Sequence, residues 1–225
     1  MCTPGVISQE EFVLGVKQFV EKAKEYGDDW ILCTVNIGAE ECVYMRKTFV
    51  QLPDKMLKTS RDKGCEEGLS DFDDLLCDMS LADDVAAASQ DSCENVLKYD
   101  CHVVYSTSYQ VPVLYFNVYK QTGALLTLDE IWQQVPALYQ ERLKHEKWTF
   151  ITQQEHPLLM TPFYQLHPCH TSKLMAQVSS MSAYSASPQA SDVNTAERVC
   201  KYLISWLSTV GPVVQLSMSL HWASC

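Results

Sequence analysis

Apolar residues recur along the chain at two periods, and the switches between them outline the elements. Phe12, Val13, Val16, Phe19, Val20 and Ala23 fall on one face at helical spacing. Ser8 and Glu11 ahead of them make a capping box, and Gly27 supplies the stop. Trp30–Val35 and Cys42–Val50 are β-branched and aromatic runs that predict two strands of a hairpin or meander. Two more runs, Tyr99–Tyr109 and Val111–Tyr119, predict a second strand pair, the latter closed by Gln121-Thr122-Gly123. One helix followed by four strands implies an antiparallel meander with helices packed on it, an α+β arrangement.

Further on, Thr127 begins a short helix with Asp129 and Glu130 in its first turn, and Pro136 starts another reaching about Lys144. Trp148–Thr152 has strand character, and Pro157 and Pro162 predict an irregular extended path after it. The Ser/Ala-rich stretch at about 178–192 reads as a loop, and a last amphipathic helix spans about Val193 to Ser208. From Tyr202 to Cys225 there is no charged residue. Gly211-Pro212 interrupts that run and Ser, Thr, Gln and His punctuate it. It is therefore read as a buried helix followed by a core strand and not as a membrane span.

Composition refines this picture. A hydrophobic fraction of 47% and an aromatic fraction of 10% over 225 residues describe a folded chain, read as a single domain over 1–225. The net charge of -11, from 28 acids and 17 bases, argues against a nucleic-acid surface. Ten of the acids, from Glu66 to Glu94, lie between Gly64 and Leu97 with no Lys or Arg among them, leaving 18 acids against 17 bases elsewhere. The acidity thus belongs to an insertion at about 51–97, expected to be solvated and disordered, in an otherwise nearly neutral protein. No basic region followed by an apolar run opens the chain, and the ten cysteines show no C-x-x-C pair. A cytoplasmic protein with reduced thiols is the expectation.

One cysteine has different surroundings. Leu166-His167-Pro168-Cys169-His170-Thr171 places a thiol directly after a proline, between a strand-like run and a possible helix start. Backbone amides left unpaired at a helix start favour a thiolate, and proline holds the turn that presents it. The residues alone leave other readings open. Cys169 can be one more packed thiol; His156, His167, Cys169 and His170 are zinc-ligand types, although Cys169 and His170 are adjacent; and a papain-like hydrolase needs a His base and an orienting Asn or Asp.

Leu-His-Pro-Cys-x-Thr, preceded by Gln153-Gln154-Glu155-His156-Pro157 and followed by Ile204-Ser205-Trp206-Leu207-Ser208-Thr209-Val210-Gly211-Pro212, resembles the E2-like ubiquitin-conjugating enzymes of autophagy, the family of autophagy-related protein three. Tyr105–Phe116 and Leu126–Trp132 carry further likeness, so the resemblance covers about Tyr99 to Leu216. It implies an E2-like fold, with an extra strand pair near the cysteine. It also implies that Cys169 takes a ubiquitin-like modifier, autophagy-related twelve, as a thioester from the activating enzyme autophagy-related seven. The acyl group then passes to a lysine of autophagy-related five; the lipid-conjugated ubiquitin-like proteins of autophagy are further possible partners. No cofactor, metal or membrane span is implied.

The His-Pro-Asn motif with which ordinary ubiquitin-conjugating enzymes stabilise the oxyanion is missing from the sequence. Tyr109, Asn117 and Gln154, in that order, are the candidates to replace its Asn or to position the lysine. His167 and Pro168 are read as shaping the turn, His156 and His170 as polar surface residues, and Trp206 as a core anchor. A non-catalytic binding module on the same fold is the main alternative; Cys169 itself discriminates against it.

Overall fold

The computed structural model describes residues 5–52, 96–143, 150–183 and 195–224. Helix α1 (Gln9–Glu25) starts at the expected capping box, with Ser8 and Glu11 satisfying each other's amides at 2.8 and 3.2 Å. Strands β1 (Ile31–Ile37), β2 (Glu40–Gln51), β3 (Leu97–Ser106) and β4 (Val111–Lys120) follow as an antiparallel meander. Helices α2 (Leu128–Gln134) and α3 (Ala137–Leu143) lead to a hairpin of β5 (Ile151–Glu155) and β6 (Pro162–Leu166). Helix α4 (Thr171–Ala183), helix α5 (Thr195–Val210) and two short 3₁₀ turns, Gly211–Val214 and Leu220–Ser224, complete the chain. The sheet order is β1-β2-β3-β4-β6-β5, every neighbour antiparallel, so the extra strand pair extends the meander through β6.

The core lies between one face of this sheet and the helices. Alternate β3 and β4 residues (Tyr99, Cys101, Val103; Leu114, Phe116, Val118) meet Phe12, Val16, Phe19 and Val20 of α1 and Val199, Leu203 and Leu207 of α5. Gly15 makes the α1–α5 crossing possible, because a Cβ there would stand 2.4 Å from Val199 Cγ1. Trp222, after α5, stacks on Phe19 at 4.3 Å and donates its indole N–H to Asp28 at 2.9 Å. That stack closes the end of the helical layer.

Several boundaries differ from the sequence reading. β3 stops at Ser106 and not at Tyr109, because the Gln110 amide turns back to the Ser106 carbonyl at 2.7 Å with Gln110 at φ 55°. The path between Pro157 and Pro162 is the loop of a regular hairpin, closed by the His156 amide on the Thr161 carbonyl at 2.8 Å. Helix α4 runs through Ala183, six residues into the stretch read as a Ser/Ala loop. No proline intervenes before Pro188, and Ala and Met extend a helix already formed. Residues 184–192 of that loop and nearly all of the acidic insertion lie outside the described residues.

The expected C-terminal core strand is not found among the described residues. Gly211-Pro212 starts a 3₁₀ turn that ends at Gln215 in a left-handed conformation, φ 59°. The chain therefore doubles back in place, and Val213, Val214, Leu216 and Trp222 reach the core without pairing to the sheet. No helix among the described residues is long and apolar enough to cross a membrane.

Candidate active site

β6 brings the cysteine motif to the end of the sheet. Tyr115 and Phe116 pair with Gln165 and Tyr164, and the buried Tyr164 donates its hydroxyl to the Leu126 carbonyl at 3.0 Å, so the strand is anchored on both sides. Just beyond it, the His167 amide donates to the Phe150 carbonyl at 2.9 Å. His167 Nδ1 then accepts the Cys169 amide at 3.3 Å, capping the 3₁₀ turn Pro168–His170 whose end flows into α4. Pro168 is buried while Cys169 and His170 are exposed. The turn is therefore fixed from below and leaves its thiol facing outward. Of the five cysteines among the described residues, Cys101 and Cys200 are buried, Cys33 and Cys42 are half-buried, and Cys169 is exposed. Burial pushes the Cys101 thiol far up, which keeps it protonated and inert.

The sequence candidates separate by position. Tyr109 sits in the β3–β4 turn, 44% exposed, with its ring edge-on to His167 at 5.8 Å. It belongs to the surroundings of the cysteine turn. Asn117 lies well along β4, buried, and its amide donates to the Pro162 carbonyl at 3.2 Å. Gln154 is exposed on the outer strand β5, opposite Phe163, at the half of the hairpin that points away from Leu166. The structure thus sets Cys169 next to Pro168 with its amide capped by His167, brings Tyr109 against the His167 ring, and places Asn117 and Gln154 elsewhere. Trp206 is a core anchor, 2% exposed.

Trp206 has a second contact that the sequence reading missed. Beside Cys169 opens a cavity of about 190 Å³, walled by Pro112, Phe150, Leu166, Leu174, Trp206 and Val210. Four separate segments contribute to it. The apolar spacing of α5 predicted burial for Trp206 but carried no sign of which neighbours it would meet.

His156 corrects the sequence reading more sharply. It is completely buried, 0% exposed, and belongs to a polar chain on the sheet face away from the helices. Arg46 holds Asp100 through two hydrogen bonds, 2.7 and 2.9 Å; Asp100 Oδ1 lies 3.1 Å from His102 Nε2, and His102 Nδ1 lies 3.1 Å from His156 Nε2. His156 Nδ1 accepts the Leu158 and Leu159 amides, both at 3.2 Å. A ring nitrogen that accepts carries no proton, so His156 donates to His102 and His102 to Asp100. Tyr44 and Phe163 pack against both rings and Tyr115 against that of His156. Burial holds His156 down at about 4, reinforced by His102. Burial opposes ionisation of Asp100, but the bonds from His102 and Arg46 prevail and hold its carboxyl at about 2. The signal for this network was present in β3, where Asp100 and His102 are two apart and so share one face of a strand.

His156 therefore stands at the far end of the hairpin from His167, Cys169 and His170. Among the described residues no group of three or more His, Cys, Asp or Glu is placed to hold a metal ion.

Comparison with known proteins bears on this arrangement. Residues 11–221 match the family model described as autophagocytosis associated protein, active-site domain. The chain is 34% identical over 224 residues to the Homo sapiens protein named ubiquitin-like-conjugating enzyme ATG10, across 96% of this chain and 92% of that one. It is 46% identical over 126 residues to the Arabidopsis thaliana protein of the same name, across 55% of this chain and 51% of the relative. Autophagy-related protein 3 of Vanderwaltozyma polyspora is 25% identical over 148 residues, 62% of this chain and 42% of the relative. A solved structure titled crystal structure of autophagic E2, Atg10, has a TM-score of 0.44 at 13% identity, covering 94% of this chain and 99% of its own.

Proposed function

The chain belongs to the autophagocytosis-associated active-site-domain family and is an E2-like ubiquitin-like-conjugating enzyme of autophagy, and from that premise we propose that Cys169 is its thioester nucleophile. The observation that carries the assignment is the anchored turn, in which an exposed thiol follows a buried proline one turn ahead of α4. Two large partners must reach the same sulfur in succession, and a recessed thiol would not serve.

In the first step the Cys169 thiolate attacks the thioester carbonyl of a modifier carried by the activating enzyme. A new C–S bond forms, the old one breaks, and the activating enzyme's thiol leaves with a proton. In the second, a neutral lysine amine attacks the Cys169 thioester; the C–N bond forms, the C–S bond breaks, and the thiol is regenerated. Autophagy-related twelve is the proposed modifier, autophagy-related seven the donor and autophagy-related five the acceptor, with a cytoplasmic setting. Tyr109 is the proposed group for steadying the oxyanion or guiding the lysine, since it is the one sequence candidate beside the turn.

Incubating the protein with modifier, activating enzyme and ATP should give an adduct that a thiol reductant removes. Cys169→Ser should give an ester that resists reductant, or no adduct, and Cys169→Ala none. No adduct on the wild-type protein, or a reducible adduct persisting in Cys169→Ala, would overturn the assignment and favour a binding module.

A further inference from the structure

We propose that the cavity beside Cys169 receives an aromatic side chain from the residue immediately before the modifier's terminal glycine, so that it reads the identity of the tail; this rests on Cys169 being the acyl acceptor. Position comes first. Cys169 is itself part of the cavity's lining. Once the glycine acyl group is bonded to Sγ, the preceding Cα is about 3.8 Å from the glycine Cα across a trans peptide. That residue's side chain is the first one the tail brings to the cavity.

Size and chemistry then narrow the occupant. A cavity of about 150 Å³ lined by Leu, Ile and Phe stays dry and takes up benzene. The space here is about 190 Å³, with Phe150, Leu166, Leu174, Trp206 and Val210 in its wall, so one aromatic ring fits and is surrounded by carbon. A methyl side chain would leave most of the volume without partner atoms, and a charged one would lose its water without a counter-charge. His167, His170 and Thr171, all close to Cys169 in the chain, are the polar members of the lining.

The test needs no other protein. Acetyl-Gly-X-Gly thioesters of mercaptoethanesulfonate, with X as Ala, Leu, Phe or Trp, are incubated with the full chain. Acyl-Cys169 is followed by intact mass, and the thiolate leaving group takes up the proton. Phe and Trp should acylate Cys169 at least about tenfold faster than Ala, the scale of discrimination an apolar pocket provides. Leu174→Trp and, separately, Val210→Phe put bulk into the wall and should shrink the Phe-to-Ala ratio toward one, with thermal unfolding confirming that each variant is folded. Equal rates for all four thioesters, or a ratio unmoved in both folded variants, would overturn the cavity assignment and leave Cys169 as nucleophile. Failure of every thioester to acylate Cys169 would overturn the underlying reading as well.

Discussion

As the proposed nucleophile, Cys169 has to be fixed in place and open to partners, and the residues on either side divide those tasks. Pro168 is buried, His167 caps the turn, and the sulfur-bearing residue is exposed. Such a turn would present the proposed nucleophile without first ordering a loop around it. Tyr109, in the β3–β4 turn, carries a hydroxyl able to donate to a developing oxyanion and meets the cysteine turn through its ring contact with His167. Tyr109→Phe keeps the ring and removes the hydroxyl. If that hydroxyl serves the transfer step, discharge of a preformed thioester to free lysine should slow by about tenfold to a hundredfold, while thioester formation stays normal. Asn117→Ala and Gln154→Ala should leave discharge within about twofold, because neither residue lies at the turn; single-turnover assays separate the two steps. The cysteine turn was legible in the sequence because its context is local, a motif six residues long. Asn117 and Gln154 were misplaced because strand alternation tells which face a side chain occupies but not how far along the strand the reacting atom sits.

Among elements, two packings carry most of the definition. Helices α1 and α5 approach closely over Gly15, where any Cβ would overlap Val199. Gly15→Ala should lower stability by about 1–3 kcal/mol despite the helix propensity of Ala. Pairing it with Val199→Ala should recover part of that loss, which denaturant unfolding of the double-mutant set would show. The second packing is the β5–β6 hairpin, held to the outer sheet face by His156. An unfolded histidine titrates near its ordinary value of 6.5, whereas His156 is held at about 4 when folded. Between those values the unfolded chain binds a proton that the folded chain does not, so this contribution is present in full above about pH 6.5 and is lost as pH falls toward 4. The loss is on the order of 3 kcal/mol. His156→Asn keeps an acceptor for the Leu158 and Leu159 amides and removes the titration. Its thermal midpoint should be lower near neutrality and fall less steeply over the same pH interval; a slope equal to that of the wild type would show that His156 does not set it. The meander itself was legible from four β-branched and aromatic runs of strand length. The hairpin's fold-over was not, since it depends on rings from four strands meeting around His156 and no local pattern records that meeting.

For the molecule as a whole, the charge division survives as a description of the chain but not of its surface. The ten clustered acids lie outside the described residues, and the rest is close to neutral. What the structure adds is how that segment is attached. β2 and β3 are neighbours in the sheet, paired from Met45↔Val103 to Gln51↔Leu97, so the two ends of everything between them face each other. Replacing residues 54–94 with a short Gly/Asn-containing turn should preserve the thermal midpoint to within a few degrees and leave Cys169 thioester formation intact, since loop-closure entropy changes only slowly with length. A midpoint lowered by about ten degrees or more would mean that the segment packs on the body.

The same pinch between Gln51 and Leu97 makes the protein divisible. A single protease cut between them would leave two pieces that share a seven-pair strand ladder and the α1–α5 helix packing. The pieces should remain together as one folded complex. Expressed separately, residues 1–52 and 96–225 would then be a complementing pair, with Cys169 on the larger piece becoming competent only when the smaller one supplies α1, β1 and β2.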